Sequence, residues 1–363
     1  MDNSRLCLSR EKVPFFACQK WQKLLYIETM QTLTKVAVVS LLAASARFAS
    51  AQVVYSEDFD SGATVGSGWN INLPGTAANN AATFGFDYST VGIPSAPHSV
   101  GGSTIGLKLE ANFSAGTPTS ANGLSVSPIG QSFTGDFLMQ VDVWQNFNGN
   151  AAGTGSGTTQ LTGAGIGTSG TVPQYMNSVQ NSIWFAQTGD GGNGLASQDY
   201  HAYSSGGTSA TVGYNAASGV FAAGTDSTAV DNLNPYYAAL GNNTVPPAQT
   251  TISGGTQTGT TPVGAPGFRW HTLSISKSGN TVSYTMDNTL IATINNINTL
   301  TLSGNDIELI QTDVNTGVSG DATRRTYEFG LFDNLVVTVP EPSLLSFGAL
   351  ALVVGLVSRR RKK

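Results

Sequence analysis

The stretch over residues 268–294 constrains this chain most. His271, Leu273 and Ile275 alternate with other residues, Ser278-Gly279-Asn280 interrupts them, Val282, Tyr284 and Met286 alternate again, and Asp287-Asn288 interrupts a second time before a third run over 290–294. Alternation with period two puts every second side chain on one face of an extended strand, and Gly, Asn and Asp tolerate the backbone of tight hairpin turns. Three strands joined by two such turns make an antiparallel meander. Elsewhere, short apolar alternations bounded by Gly, Asn, Asp and Pro recur while helical periodicity is nearly absent, so the pattern predicts an all-β sandwich. Further strands are expected over residues 53–59, 136–147, 182–187 and 327–339. Trp144, Trp184 and Trp270 each sit inside an apolar strand and are expected in the core.

Both ends of the chain read as targeting segments. After Met30 come a basic Lys35, an apolar stretch over 36–46, and Ala49-Ser50-Ala51 before Gln52. These are the three parts of a secretory signal peptide with an A-x-A cleavage site, spanning 30–51. Residues 1–29 are mixed in charge and polarity and read as a start called too early or an untranslated extension. Both cysteines, Cys7 and Cys18, fall there, so the body is expected to hold no disulfide and no thiolate metal site. The far end reads Val339-Pro340-Glu341-Pro342, an apolar run over 343–357, and then Arg359, Arg360, Arg361, Lys362 and Lys363. The run is near the lower limit of ~17–25 residues for a spanning helix, and the basic cluster fits the cytoplasmic side.

This ordered tail, over 340–363, resembles the PEP-CTERM sorting signal. The resemblance implies transient anchoring in the inner membrane through the C-terminal helix and cleavage by an exosortase-type membrane transpeptidase, in bacteria that also export polysaccharide. The mature protein would then reside at the cell surface or in the extracellular matrix, without a transmembrane helix. A permanent single-span anchor is the alternative.

Between the two signals, residues 52–339 carry five basic residues (Lys108, Arg269, Lys277, Arg324 and Arg325) against eighteen acidic ones, a net charge of −13 that the whole-chain value of −5 conceals. Such a surface repels phosphate backbones, which excludes nucleic acid as a partner. Gly, Ser, Thr, Asn and Ala dominate residues 109–267, where no Lys or Arg occurs. A Gly/Ser/Thr/Tyr-rich insertion over about 188–266 is too long for a structureless loop and is expected to hold extra strands. Its Tyr200, Tyr203, Tyr214, Tyr236 and Tyr237 are the candidates for ligand contact.

The meander, together with the opening VVYSEDF and the closing YEFGLFDNLVVTV, resembles laminin-G-like and concanavalin-A-like jelly rolls. That fold hosts lectins, enzymes and structural modules alike, so function must be sought in particular residues. Gly165, Gly167 and Gly170 match a G-x-G-x-x-G fingerprint, but no βαβ pattern surrounds them. His98, His201 and His271 are scattered without zinc spacing, and no G-x-S-x-G elbow appears. Asp306 and Glu308, at i and i+2, place two carboxylates on one strand face, as glycosidase pairs require. Compared with the acid run of concanavalin-A-like glucanases, Gly304 stands where the first Glu would be, so that motif is incomplete.

No cofactor is expected, apart from a structural Ca2+ held either by Asp190, Asn193 and Asp199 or by Asp58, Asp60 and Asp333. The reading favours a non-catalytic protein associated with exopolysaccharide or other surface glycans. A glycoside hydrolase or polysaccharide lyase on the same fold is the alternative. N-terminal sequencing of the secreted protein is expected to begin at Gln52, and its intact mass from the native host to lack Arg359 to Lys363. Mature protein containing Cys7 or Cys18 would sink the first expectation; equal masses with and without the processing enzyme would sink the second.

Overall fold

The computed structural model describes residues 51–62, 66–74, 79–113, 122–147, 160–176, 178–189, 200–204, 207–208, 219–221, 229–230, 235–252, 259–313 and 327–340. The chain divides into two compact units, Val53–Val339 and the two ends taken together. The signal and sorting segments, with Ala49, Glu341 and Pro342, lie outside the described residues, as do Tyr214, Asp190, Asn193 and Asp199. Ala51 and Pro340 are described and flank the first and last strands. No helix among the described residues is long and apolar enough to cross a membrane.

Among the described residues eighteen strands run in chain order: β1 Gln52–Glu57, β2 Trp69–Asn72, β3 Ala81–Asp87, β4 Ile105–Glu110, β5 Asn122–Pro128, β6 Phe137–Asn146, β7 Gln160–Thr168, β8 Val179–Gln180 and β9 Ile183–Thr188. They continue with β10 Tyr200–Tyr203, β11 Gly207–Thr208, β12 Gly219–Phe221, β13 Ala229–Val230, β14 Trp270–Ser278, β15 Thr281–Met286, β16 Thr289–Asn295, β17 Asp306–Asp313 and β18 Phe329–Val339. A nine-stranded sheet has the order β12-β16-β15-β14-β6-β18-β4-β3, with β1 also on β18. A seven-stranded sheet has the order β13-β10-β9-β7-β17-β5-β2, and β8 pairs with β11. From β4 to β7 and again from β16 to β18 the chain crosses from one sheet to the other at every connection, the winding of a jelly roll.

The meander forms as its turn chemistry dictates. Asp287 and Asn288 take φ of 47° and 63°, the left-handed pair of a tight hairpin, and Gly279 takes 54° in the preceding turn. Leu273 and Ile275 then face Met286 and Tyr284 in register, and all four enter the core between the sheets. The insertion contributes β10 to β13, together with helical turns at Pro235–Leu240 and Pro247–Ile252.

Apolar residues of both sheets meet in one inter-sheet core that includes Met139, Val141, Val143, Phe185, Leu309 and Phe332. The outward faces are covered too. Trp144 and Trp270 join Tyr88, Phe268 and Phe329 over the larger sheet, whereas Trp184 joins Leu161, Tyr203 and Ile310 over the smaller one. All nine residues of β7 and all eight of β17 are buried, which the half-exposed alternation of an ordinary sandwich strand does not provide.

That double burial explains the glycines of β7. A Cβ at Gly163 would lie 1.8 Å from the Phe185 carbonyl oxygen, and one at Gly165 would lie 2.6 Å from Glu308 Oε1. The G-x-G-x-x-G run is therefore a packing and bulge device: Gly167, at φ 81°, is skipped where β7 slips register against β17. Replacing Gly163 by Ala is expected to cost about 3 kcal/mol or more through overpacking. The same change at Gly279, where nothing lies within 4 Å, should cost only about 1 kcal/mol of backbone strain. Urea unfolding of the two variants checks the order; equal losses would contradict the packing argument.

Candidate functional site

The two carboxylates singled out on β17 are brought together and shut in. Glu308 is fully buried and Asp306 nearly so, on the outward face of the smaller sheet. Ser182 Oγ lies 2.6 Å from Glu308 Oε1 and 3.0 Å from Gln174 Oε1. The Ser182 hydroxyl donates to Glu308, an arrangement that by itself favours the charged carboxylate. Burial nevertheless pushes the Glu308 carboxyl up to about 8, against the Ser182 and Thr168 hydroxyls and with the neighbouring Asp306 adding to it. Asp306 is pushed up to about 7, again by burial, against the Ile307 N–H that it accepts.

Three of the tyrosines expected to contact a ligand, Tyr200, Tyr203 and Tyr237, take another role. Tyr200 and Tyr237 are fully buried in the inter-sheet core, and Tyr203 stacks on Trp184 with ring centroids 3.9 Å apart, also without exposure. They fill volume that the surrounding small residues leave, and a saccharide has no access to their faces. Tyr236 alone of the described four is open, at 47% exposure.

Asp58, Asp60 and Asp333 are likewise not gathered into an ion site. Asp60 accepts from Ser103 Oγ at 2.5 Å, Asp58 accepts the Asp60 N–H, and buried Asp333 accepts from Tyr88 and Ser99. No cluster of three His, Cys, Asp or Glu among the described residues is arranged to hold a metal.

A different constellation stands on the outward face of the larger sheet. Asp142 of β6 and Asp333 of β18 are register partners, both almost fully buried. Four donors converge on Asp142: His98 Nδ1 at 2.8 Å, the His98 N–H at 3.1 Å, Thr272 Oγ1 at 3.2 Å and Asn334 Nδ2 at 3.1 Å. Asp333 takes Tyr88 OH at 2.9 Å, Ser99 Oγ at 3.0 Å and the Asn334 N–H at 2.8 Å. Burial pushes Asp333 up to about 7, partly relieved by those hydroxyls. Asn334 reaches its position because φ of 51° there accompanies a register shift in β18.

His98 is thus gripped through ring and backbone by one carboxylate, while 61% of its side chain remains exposed. In the neutral ring with Nδ1 donating to Asp142, Nε2 is left as an acceptor on this exposed side chain. The histidine lines a cleft of about 380 Å3 with Glu57, Asp58, Gln140 and Thr272. A second cleft of about 420 Å3 is walled by Trp144, Trp270, Phe268, Pro94, Pro97 and Pro246. The other histidines stand apart: His271 is buried against Asp287, and His201 lies beside Tyr203. Sequence reasoning missed the His98 constellation, whose one local signal is an acid inside an apolar strand, as in LMQVDVW and GLFDNL.

The strand pairing makes the chain an all-β, two-sheet antiparallel sandwich. No family model matches the chain, and no curated protein matches it. Solved structures similar to it include a protein of unknown function with a galectin-like fold from Bacillus subtilis, at 8% identity and a TM-score of 0.39 over 80% of this chain and 98% of that one. They also include the laminarinase from Rhodothermus marinus, at 12% and 0.37 over 82% and 100%, and the carbohydrate recognition domain of Emp47p, at 11% and 0.35 over 80% and 97%. With TM-scores below 0.5, these likenesses carry no argument about fold, ligand or activity.

The buried acids generate a pH dependence. A carboxyl whose folded pKa lies above its unfolded value binds more proton in the native state, so stability is greatest below the unfolded pKa and is lost as pH rises through the folded one. For Glu308 that window runs from 4.5 to about 8. The protein is expected to be more stable at pH 5 than at pH 8.5, and Glu308→Gln to recover at least about 1 kcal/mol at pH 8.5 while flattening the profile. Urea midpoints at both pH values check this; a variant less stable than wild type at pH 8.5 would refute it.

Proposed function

We propose that the mature chain is an exported jelly roll of the laminin-G/concanavalin-A-like kind that associates with exopolysaccharide or other surface glycans without turning them over. Delivery rests on the signal peptide over 30–51, and release at the cell surface or into the matrix on exosortase-type processing at Pro340-Glu341-Pro342. The non-catalytic part is supported by one observation above all: Glu308 is fully buried under Ser182 and Gln174, so no glycosidic oxygen reaches it. Glycosidic cleavage needs an acid and a second carboxylate flanking the scissile bond. Association without turnover needs only open clefts with polar groups and apolar walls, and the larger sheet carries two.

A glycoside hydrolase is the second reading, favoured by the raised pKa of Glu308, which suits a general acid. It requires the cover over β17 to open. Retention on a polysaccharide panel together with a reducing-sugar assay separates the two. Retention without sugar release, unchanged in the Asp306→Asn, Glu308→Gln variant, is the expected result. Release by the wild type that disappears in this variant would establish the hydrolase instead.

A further inference from the structure

The two clefts of the larger sheet belong to one surface. Along β6, Gln140, Asp142 and Trp144 point away from the inter-sheet core, because the intervening Val141 and Val143 point into it. Their partners on β14 are Ser274, Thr272 and Trp270. The three cross-strand pairs follow one another at intervals of about 7 Å, the length of two residues of strand. One end of the row is aromatic and the other polar.

Residues 92–99 cross this row as a strap. Trp270 Nε1 donates to the Pro94 carbonyl at 2.7 Å, the Ala96 N–H donates to Tyr88 OH at 3.2 Å, and His98 and Ser99 are tied to Asp142 and Asp333. The aromatic cleft lies on one side of the strap and the His98 cleft on the other. The exposed Pro94 and Pro97, backed by the buried Trp144 and Trp270, suit the C–H faces of a pyranose ring, while the exposed His98 ring and the Gln140 amide suit its hydroxyls. Lys and Arg are absent from the described lining of the His98 cleft, which carries Glu57 and Asp58. At the aromatic cleft the Arg269 guanidinium is spent on the Ala239 carbonyl and on Asp287. A uronate or sulfate would meet repulsion at the first cleft and, at the second, a guanidinium already paired with Asp287.

Building on the glycan-association reading, we infer that this surface binds an uncharged polysaccharide chain, seating a sugar ring in the cleft between the exposed Pro94, Pro97 and Thr244, above the buried Trp144 and Trp270, and accepting a sugar hydroxyl at the neutral ring of His98. His98 is a binding residue here, and Asp142 is its positioning residue.

The experiment uses the full secreted protein in affinity electrophoresis against uncharged glucans, mannans, galactans and xylans and against acidic alginate and pectate. At least one uncharged polymer is expected to retard it, and neither acidic one. Thr244→Trp, which plugs the aromatic cleft from an exposed position, and Gln140→Ala and His98→Gln in the other should each raise the dissociation constant tenfold or more. Tyr236→Ala should leave it unchanged, and thermal unfolding should show all four variants folded. Retardation that survives the three cleft variants, or falls only in Tyr236→Ala, would overturn the site and leave the glycan reading standing. Equal retardation by alginate would overturn the ligand class. Binding to no polymer would overturn both the site and the reading on which it rests.

Discussion

Two acids placed opposite each other on neighbouring strands repel, and burying them raises the cost further. Asp142 and Asp333 are such a pair, and the loop between β3 and β4 is built to answer it. Tyr88, His98 and Ser99 from that loop, with Thr272 and Asn334 from the sheet, supply seven hydrogen bonds to the two carboxylates. Removing any one donor leaves a buried acceptor short of a partner, at roughly 1–3 kcal/mol each. The loop is consequently fixed over the larger sheet, and its backbone becomes the strap between the two clefts.

The smaller sheet faces the same physical demand and meets it differently. Its interior end is filled by amides and hydroxyls that answer one another: Gln311 Nε2 donates to Gln160 Oε1 at 2.8 Å, and Thr162 Oγ1 donates to Gln311 Oε1 at 2.6 Å. Over the outward face of the larger sheet, Asn146 and Gln249 exchange bonds of 2.9 and 3.1 Å between their side-chain amides. Polar side chains with partners can occupy a core that apolar ones would otherwise fill. A body rich in Gly, Ser, Thr, Asn and Gln can in this way bury both faces of a sheet, provided that glycine stands wherever backbone presses on backbone, as at Gly163.

What was legible in the sequence follows from how local each signal is. The meander from β14 to β16 could be read because its alternation and both turns lie within one short stretch. Tyr200, Tyr203 and Tyr237 defeat the reading because a ring in a Gly/Ser/Thr-rich segment looks like an exposed platform. In such a segment rings are also the side chains large enough to fill a core, and Tyr200 and Tyr237 are used for that. The Asp306-x-Glu308 spacing was visible, yet its cover comes from Gln174 and Ser182, more than a hundred residues upstream. The Asp142 site could not be assembled from sequence at all, since its partners His98, Asn334 and Thr272 come from three separate elements.

The two carboxylate pairs therefore differ in what surrounds them, and that difference decides which surface can do chemistry. Glu308 has only the Ser182 and Thr168 hydroxyls to favour its charge, and its second oxygen finds no hydrogen bond, so burial prevails and a retained proton is the cheaper way to bury it. A protonated, covered carboxyl packs like a polar core residue and offers nothing outward. Asp142 meets four donors, one of which is the ring of a histidine that reaches solvent. Through that ring the buried acid acts at the surface, fixing the tautomer and direction of His98. The outward face of the larger sheet, and not the acid spacing along β17, is accordingly where this sandwich turns a buried carboxylate toward solvent through a ring.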